Sequence, residues 1–127
     1  MRIQDYDSVC DVTNPADIEA ALSKRHDGGI NSFWLSHGTE LFPTIGMLVK
    51  GNLANVHYIP KDRDAGFTSV AKMLDSRFEE TSVFFVRPTE KIWVRNGAVI
   101  QFSDALKAAQ EFSISATMPK CIQWFEL

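Results

Sequence analysis

Two strand-like runs joined by a glycine turn constrain the fold of this chain more than any other sequence feature. Residues 41–50 and 53–59 are both rich in strand-forming apolar residues, and the dipeptide Gly51-Asn52 between them favours a tight turn. Pro43 has no amide hydrogen to donate to a neighbouring strand, so we place it at the entry or edge of the first run. The two runs therefore predict a β-hairpin with antiparallel pairing.

Further strand-like runs follow one another along the chain without a helix between each pair. Pro88 and the turn dipeptide Asn96-Gly97 end two of the later ones. Because consecutive strands are typical of an antiparallel sheet, we predict an α+β fold with a largely antiparallel sheet of about five to six strands. The additional runs span residues 32–36, 81–87, 91–95 and 121–125, with a shorter candidate at 99–102.

Two amphipathic helices complete the predicted fold. Asn14 is a favourable N-cap and Pro15 suits the first helical position, so the first helix is expected to start there and to end at the glycines at 28–29. Ser103 and Asp104 predict the start of the second helix, since a hydroxyl caps free amides and a carboxylate suits the positive end of the helix dipole. Both helices are expected to cover one face of the sheet, which leaves the other face for solvent or a partner.

One stretch between the strands has the composition of a loop. Residues 60–70 combine alternating charges with Gly66, whose conformational freedom permits a tight turn that presents or tucks in Phe67. Residues 72–80 fit either a short helix or an irregular excursion. Since there is no internal repeat, low-complexity segment or linker, the chain is predicted to form one domain over residues 1–127.

The distribution of charge argues against direct binding of nucleic acid. The whole chain has a net charge of −3, but residues 1–20 hold five carboxylates and one arginine, so the rest of the chain is close to neutral. A nucleic-acid binder would show a basic stripe. The acidic beginning predicts either a solvated terminus or a surface that attracts a basic partner.

The sequence favours a cytoplasmic protein without a membrane span. No apolar run approaches the ~20 residues that cross a bilayer, and the first residues are acidic where a signal peptide has a basic and then an apolar region. Cys10 and Cys121 are too few for a disulfide framework and are expected to be reduced thiols.

No set of residues in the sequence predicts catalysis, a metal site or a cofactor site. The three histidines, His26, His37 and His57, are not paired at the spacing of metal ligands, and no phosphate-binding or nucleophile motif occurs. His26 is expected to cap the end of the first helix, where a cation favours the dipole. We predict a protein that is not an enzyme. The alternative is a small hydrolytic enzyme in which His37 or His57 works with a carboxylate in a cleft.

The three tryptophans each lie in a strand-like run. Burial in the sheet is expected for at least two of Trp34, Trp93 and Trp124, because large aromatic residues in apolar strands are usually core residues. Trp124 is the one that we favour for a binding role, since a terminal strand has an edge and Glu126 lies nearby.

Four segments in the second half of the chain also carry a likeness to known proteins. They read HYIPKD, AGFTSV, VIQFSDALKAAQEF and MPKCIQWFEL. Most of the likeness lies in two short motifs, which are Gly66, Phe67 and Ser69, and then Pro119, Ile122, Trp124 and Glu126. In this order and spacing, residues 50–127 resemble immunity protein family one, the antidotes of bacterial polymorphic toxin systems. The first fifty residues match only in their layout of a helix followed by a strand.

The resemblance implies a small α+β protein that has no activity of its own and binds one cognate toxin domain, often a nucleic-acid deaminase. It would occlude the active site or substrate channel of that toxin, without direct contact with nucleic acid or a membrane, and we expect a monomer or weak homodimer. Core packing is the competing role for Phe67 and Trp124. A small adaptor or oligomerising subunit that pairs strands through a sheet edge is the other binding hypothesis. The candidate contact residues for a toxin are Asp62, Arg63, Asp64, Phe67, Glu79, Glu80, Trp124 and Glu126.

Overall fold

The computed structural model describes residues 1–72 and 79–127, and it confirms the predicted α+β class. The prediction of a short helix or an irregular excursion at 72–80 falls on residues 73–78, which lie outside the described residues. Within the described residues the chain forms ten β-strands, two α-helices and one 3-10 turn. The helices are α1 (Pro15–Leu22) and α2 (Phe102–Ser115), and the 3-10 turn spans Asn96–Ala98. The strands are β1 (Arg2–Gln4), β2 (Val9–Asp11), β3 (Ile30–Ser36), β4 (Thr44–Lys50), β5 (Leu53–Ile59), β6 (Phe67–Ser69), β7 (Thr81–Arg87), β8 (Glu90–Arg95), β9 (Ile100–Gln101) and β10 (Trp124–Glu126).

Eight of the described strands form one sheet, and its centre is the predicted hairpin. Neighbouring strands run antiparallel in the order β2-β1-β3-β4-β5-β6-β10, and β9 pairs with β5 as well. β4 and β5 pair along their whole length down to Lys50 opposite Leu53, and Gly51 has a φ of 58° in the turn between them. Glycine is favoured at a positive φ, so Gly51-Asn52 sets the register of the hairpin.

One face of this sheet, called the helix face below, packs against α1 and α2 as predicted. Because side chains alternate along a strand, the odd-numbered residues of β3 and β4 and the even-numbered residues of β5 point to the same side. Ile18 and Leu22 of α1 and Leu106 and Phe112 of α2 bury their side chains there. The strand residues of this main core are Phe33, Leu35, Ile45, Met47, Val49, Ala54, Val56 and Tyr58.

The opposite face, called the open face below, carries a second, two-stranded sheet. β7 and β8 pair with each other and pack through Phe84 and Val94 onto Leu48 of β4. The hydroxyl of Tyr6 donates to the carbonyl oxygen of Phe85 at 2.7 Å, which ties this hairpin to the N-terminal segment. The expectation that the second face is uncovered is therefore wrong in part, because the β7–β8 hairpin covers some of it.

The sheet also has more strands than predicted. Three of its strands, β1, β2 and β6, had no counterpart in the prediction, because each is only three residues long, which is too short for an alternating pattern to emerge in the sequence. β10 spans Trp124–Glu126 rather than residues 121–125, and β4 begins at Thr44 rather than at residue 41. Hydrogen bonding to a neighbouring strand decides these limits, and residue type alone does not report it.

The first helix starts where predicted and ends earlier. The side-chain oxygen of Asn14 accepts the amide hydrogen of Asp17 at 2.9 Å, as an N-cap does. α1 ends at Leu22 rather than at the glycines at 28–29. The guanidinium of Arg25 donates to the carbonyl oxygen of Leu22 at 2.6 Å. A further helical turn would have paired this carbonyl oxygen with a backbone amide, and the arginine side chain takes the place of that amide.

The second helix begins one residue before the predicted cap. Gln101 occupies the N-cap position in place of Ser103, and its side chain makes no capping hydrogen bond. The amide of Phe102 donates to the carbonyl oxygen of Asn52 at 2.7 Å, so the hairpin turn satisfies the first free amide of the helix. Neither described helix has the length and apolar character required to cross a membrane.

Candidate functional site

A row of residues crosses the open face from one edge of the sheet to the other. Each member lies directly opposite the next in the strand register, so all of them point to the same side. Trp34 and Phe125 are its large aromatic members and are 50% and 63% exposed. The members of this open-face row are Val9, Gln4, Trp34, Gly46, His57, Thr68 and Phe125.

Trp34 has a defined position because the residue opposite it has no side chain. A Cβ atom added to Gly46 would lie 2.9 Å from Cζ3 of the Trp34 ring, closer than carbon atoms ordinarily approach. Gly46 is buried although it lies on the open face, which is consistent with cover by the ring. The indole therefore lies against the sheet backbone while half of the residue stays exposed.

A cleft of about 480 Å³ opens beside this ring, between the sheet and the β7–β8 hairpin. Trp34, Gly46 and His57 belong to its lining, and Arg87 and Glu90 come from the end of the hairpin. These last two residues form an ion pair at 2.9 Å. The N-terminal segment contributes Gln4, Asp5 and Tyr6, and the hairpin adds Val86, Pro88 and Ile92.

Asp5 borders the cleft, but its carboxylate is only 4% exposed and accepts a hydrogen bond from Asn31, a β3 residue on the helix-face side. Burial alone would raise its pKa, but hydrogen bonds from the hydroxyl and amide of Ser8, the amide of Asp7 and the side chain of Asn31 outweigh burial and hold the pKa of Asp5 well below its ordinary value. Lys24 lies 3.3 Å from Asp5 and 2.9 Å from Asp7, so one ammonium faces two carboxylates. This corner therefore keeps a net negative charge at neutral pH.

His26 borders the same corner, and the prediction that it caps α1 is wrong. α1 ends four residues earlier, at Leu22. The amide of His26 donates to the carbonyl oxygen of Ile30 at 2.9 Å, and its ring packs against Tyr6 with 5.0 Å between the ring centroids. The imidazole is thus held by the loop before β3 and by the N-terminal segment.

The atoms of Asp5, Asp7 and His26 that could ligate a cation lie within 4.8 Å of one another. Nε2 of His26 is 4.0 Å from the Asp5 carboxylate and is buried, with no hydrogen-bond partner among residues 1–72 and 79–127. The ammonium of Lys24 already supplies a positive charge between the two carboxylates. We therefore interpret this cluster as a partly exposed ion-pair network around the buried carboxylate of Asp5.

The histidines of the enzyme hypothesis do not meet a carboxylate. Burial lowers the pKa of His57, so its ring is neutral at pH 7, and no carboxylate hydrogen-bonds to it among residues 1–72 and 79–127. Nε2 of His37 donates to the carbonyl oxygen of Phe112 at 2.8 Å, and the two rings make an edge-to-face contact. His37 thus contacts α2 through the carbonyl oxygen and the ring of Phe112, while His57 belongs to the lining of the cleft.

The Gly-Phe-x-Ser motif has a geometric role in the sheet. Gly66 has a φ of 78°, and a Cβ atom there would lie 2.3 Å from the carbonyl oxygen of Tyr58. The hydroxyl of Ser69 is buried, donates to the carbonyl oxygen of Ala98 at 2.8 Å and accepts the amide of Val56 at 3.1 Å. Gly66 therefore lets β6 approach β5 closely, and Ser69 joins β6 to β5 and to the 3-10 turn.

Two of the predicted contact residues pack on the helix face. Phe67 lies opposite Tyr58 in the register of β5 and β6, and both Phe67 and Trp124 are half-buried against the main core. Nε1 of Trp124 donates to the carbonyl oxygen of Pro119 at 2.7 Å, and its ring lies 6.2 Å from that of Tyr58. Glu126, opposite Phe67, is exposed.

The prediction that at least two of the tryptophans are buried is wrong. Trp34 and Trp93 are 50% and 62% exposed, and Trp124, which was favoured for binding, is the one that packs on the core. β3 is covered by helices on one side only, and Trp34 points to the other side. Trp93 lies on the side of the β7–β8 hairpin that faces away from the sheet, because its neighbour Val94 is buried against Leu48.

The charged residues predicted as contacts lie in two places outside the cleft. Asp62 and Arg63 are exposed in the loop before β6, and Oδ1 of Asp64 accepts the amide of Gly66 at 2.7 Å. Glu79 and Glu80 are exposed at the start of β7. None of the eight predicted contact residues belongs to the cleft lining.

The cleft residues were not predicted as a group, although part of the grouping was available in the sequence. A two-residue turn at Gly51-Asn52 places residue 46 opposite residue 57, so Gly46 and His57 follow from the turn alone. The position of Trp34 depends on the register of β3 and β4, which are joined by a longer connection that does not fix the pairing.

The comparisons with known proteins place this chain in no family: no protein-family model matches it, and no curated protein does.

Proposed function

We propose that this chain is a cytoplasmic immunity protein that binds one cognate toxin domain, of the nucleic-acid deaminase class, and occludes its active site or substrate channel. The observation that carries the proposal is the half-exposed Trp34, which lies against Gly46 in the middle of the open-face row. The resemblance of residues 50–127 to immunity protein family one supplies the class of partner.

An exposed and fixed tryptophan suits protein recognition. Tryptophan is among the residues that contribute most to binding energy at interfaces, and a ring that is already ordered loses little conformational entropy when a partner covers it. The open-face row gives Trp34 neighbours on both sides, with Phe125 at one edge of the sheet and Val9 at the other. A partner that covers the row would therefore bury apolar surface across the full width of the sheet.

The predicted contact residues extend this surface at one end. In β10, Phe125 of the row is flanked in the sequence by Trp124 and Glu126, and Glu126 lies opposite Phe67 of β6. Asp62 and Arg63 of the neighbouring loop are exposed. In this proposal Phe67 and Trp124 hold the strand pair β6–β10 in place, while Asp62 and Arg63 contact the toxin at the rim, where charges affect association rate and specificity. Glu126 points to the same side as Phe67, so the toxin would contact it only by reaching around the edge strand β10.

The charge of the N-terminal corner supports a basic partner. Asp5, Asp7 and Lys24 leave one negative charge unmatched beside the row. A domain that acts on nucleic acid presents a basic groove, and opposite charges raise the rate of association. An inhibitor that must bind a toxin soon after it enters the cell benefits from fast association.

Co-expression with the toxin domain encoded beside this gene tests the proposal. Cells that make the toxin domain should grow only when this protein is present, and the two purified proteins should elute as one complex in size-exclusion chromatography. Continued growth arrest, together with separate elution of the two proteins, would contradict the proposed function.

A second candidate function, that of an oligomerising or adaptor subunit, is favoured by the edges of the sheet. Among the described strands, β10 pairs only with β6, and β2 pairs only with β1, so each has one edge without a strand neighbour. A self-associating subunit would use such an edge. Light scattering distinguishes the two functions, because a monomer at high micromolar concentration excludes the self-associating subunit.

A further inference from the structure

We propose that the cleft beside Trp34 binds a phenol group, and that a tyrosine side chain of the toxin domain supplies it. This inference rests on the proposed function, because it names the side chain through which the toxin would engage the open face. Three features of the described residues carry it, and they are the balance of charge around the cleft, its aromatic and apolar walls, and the two ring nitrogens that His57 leaves unpaired.

The charges around the cleft leave none free to attract an ionic group. Among the described residues that line it, Arg87 and Glu90 are exposed charges, and they pair with each other at 2.9 Å. The Asp5 carboxylate is 4% exposed and accepts hydrogen bonds from Ser8 and Asn31, so it does not present its charge to the cleft. A charged side chain would lose hydration there without gaining a partner of opposite charge. The cleft therefore favours an uncharged occupant.

The walls of the cleft suit a flat aromatic ring. The indole of Trp34 lies against Gly46 and is half exposed beside the cleft. A second ring can pack on this surface, and an indole that is already ordered loses little entropy when it is covered. A volume of about 480 Å³ is within the range of sites that enclose small groups. Apolar side chains of β4 and the β7–β8 hairpin complete the walls, and they belong to Leu48, Val86, Pro88 and Ile92.

His57 adds a polar requirement to this site. Burial lowers the pKa of His57, so its ring is neutral at pH 7, with one nitrogen that donates a hydrogen bond and one that accepts. Neither nitrogen is hydrogen-bonded to residues 1–72 or 79–127, and neither is fully buried. An occupant that is apolar throughout would exclude water from these nitrogens without replacing its hydrogen bonds, which is unfavourable.

A phenol meets all three requirements. It is aromatic and uncharged at neutral pH, and its hydroxyl both donates and accepts, so it can pair with His57 whichever nitrogen carries the proton. Trp34 and His57 lie on either side of Gly46 in the strand register, about 10 Å apart at the backbone. One ring can therefore contact the indole while its hydroxyl reaches the imidazole. Tyrosine is also among the residues enriched at the energetic centres of interfaces.

N-acetyl-tyrosine amide tests the cleft on the free protein. The probe is added to the isotope-labelled protein, and the indole N–H resonances of Trp34 and Trp93 are followed by NMR. Trp93 is the matched control, since it is also exposed and lies outside the cleft. We expect saturable shifts at Trp34 with an affinity on the order of millimolar, and no saturable shift at Trp93.

N-acetyl-phenylalanine amide, which has the same ring without the hydroxyl, should bind about three- to tenfold more weakly. Equal binding of the tyrosine and phenylalanine probes, or equal shifts at Trp34 and Trp93, would overturn the inference.

The variant His57→Phe separates the hydrogen bond from the ring contact. It keeps an aromatic ring at this position and removes both nitrogens, so the preference for the tyrosine probe over the phenylalanine probe should disappear. Thermal unfolding checks that the variant is folded. A folded His57→Phe protein that keeps the full preference would show that His57 does not recognise the hydroxyl, and would overturn the assignment. If the variant does not fold, the comparison of the two probes on the wild-type protein still decides.

The toxin complex provides the second test and separates this inference from the proposed function. The exposed tyrosines of the toxin domain are replaced by phenylalanine one at a time. One replacement should weaken binding to the wild-type protein about three- to tenfold and leave binding to His57→Phe unchanged. If the wild-type protein neither binds nor protects, the proposed function fails. If it binds and protects and no tyrosine replacement weakens the complex, the proposed function stands and the tyrosine inference is wrong.

Discussion

The two faces of the main sheet are built from the same strands and differ in what covers them. Two helices close the helix face, where the aliphatic residues of β3, β4 and β5 meet the alanines and Phe112 of α2. A two-stranded hairpin closes only part of the open face through a small cluster around Leu48, Phe84 and Val94. The comparison teaches that one sheet can separate stability from recognition, because successive side chains of each strand point to opposite sides.

β4 illustrates this separation within a single strand. Ile45, Met47 and Val49 belong to the main core under the helices, while Gly46 underlies Trp34 and Leu48 meets the β7–β8 hairpin. All five residues are apolar or small, so hydrophobicity does not distinguish the two sides. We therefore expect substitutions on the helix face to affect mainly the free energy of unfolding, and substitutions in the open-face row to affect mainly binding.

The largest effect on stability is expected for Phe112→Ala on the helix face. The ring of Phe112 is fully buried and contacts the rings of His37 and Tyr58, so its removal leaves a cavity and should lower the free energy of unfolding by about 3–5 kcal/mol. Chemical denaturation measures the loss. Ile114→Ala in the same helix is the control, because Ile114 is 86% exposed and should change stability by less than about 0.5 kcal/mol. Equal losses for the two variants would contradict the assignment of the core.

A smaller loss is expected for Trp124→Ala, which compares the two faces at neighbouring positions. Trp124 packs on the main core, and its Nε1 donates to Pro119, so the variant should lose about 2–3 kcal/mol of stability. Phe125→Ala removes an aromatic ring of the open-face row and should cost less than about 1 kcal/mol. Thermal and chemical unfolding of both variants measure the difference. A costlier Phe125→Ala would reverse the assignment of the faces at this edge.

Asp5→Asn tests the charged corner at the N-terminal edge of the sheet. It weakens the hydrogen bonds from Ser8, Asp7 and Asn31 to a charged group and should cost about 2 kcal/mol near neutral pH. The pKa of Asp5 is lower in the folded than in the unfolded state, so the unfolded state binds more protons in acid. The contribution of Asp5 is therefore complete above about pH 4 and is lost as the pH falls further.

Denaturation curves at several acidic pH values measure this dependence, which should be weaker in the Asp5→Asn protein. Asp11→Asn is the matched control, because the side chain of Asp11 is 76% exposed and its ion pair with Arg2 is 3.7 Å long. Asp11→Asn should leave both stability and its pH dependence nearly unchanged. An unchanged acid dependence in Asp5→Asn would contradict the lowered pKa.

The smallest effect is expected for Tyr6→Phe, which removes the hydroxyl that holds the β7–β8 hairpin to the N-terminal segment. Loss of the hydrogen bond to the Phe85 carbonyl oxygen should cost about 1 kcal/mol. Hydrogen exchange should rise in β7 and β8 relative to β4 and β5, because the hairpin is fixed by fewer contacts than the central strands. A uniform rise across both sheets would show that the hairpin and the main sheet open together.

Long elements and local signals of the fold could be predicted from the sequence. The hairpin at Gly51-Asn52 and the N-cap at Asn14 depend on residues within a few positions of one another, and both are confirmed. The strands β1, β2 and β6 could not be predicted in the same way, because three residues are too few to carry an alternating pattern. The final strand was predicted with different limits, because pairing with β6 decides where β10 begins and ends. The position of the β7–β8 hairpin on the open face depends on Leu48 and Phe84, which are far apart in the chain.

The candidate site was harder to predict than the fold for a related reason. Trp34 and Trp93 lie in apolar strands, and which side of a strand is covered depends on elements elsewhere in the chain. The role of His26 depends on Tyr6 and Asp5, which reach it only after β1 and β3 have paired. In the acidic N-terminal segment, Asp5 and Asp7 both lie close to Lys24, a contact that forms only after the chain has folded.

Gly66 lies so close to the backbone of Tyr58 that the Gly-Phe-x-Ser motif indicates strand packing rather than the choice of a partner. Any side chain at this position would collide with the backbone of β5, and Ser69 fixes the same strand through its hydroxyl. A family likeness that rests on this motif therefore detects the way in which β6 joins the sheet. Descendants of one ancestral chain could keep Gly66 and Ser69 while their open-face rows diverge, so that a shared fold and a shared partner become separable properties.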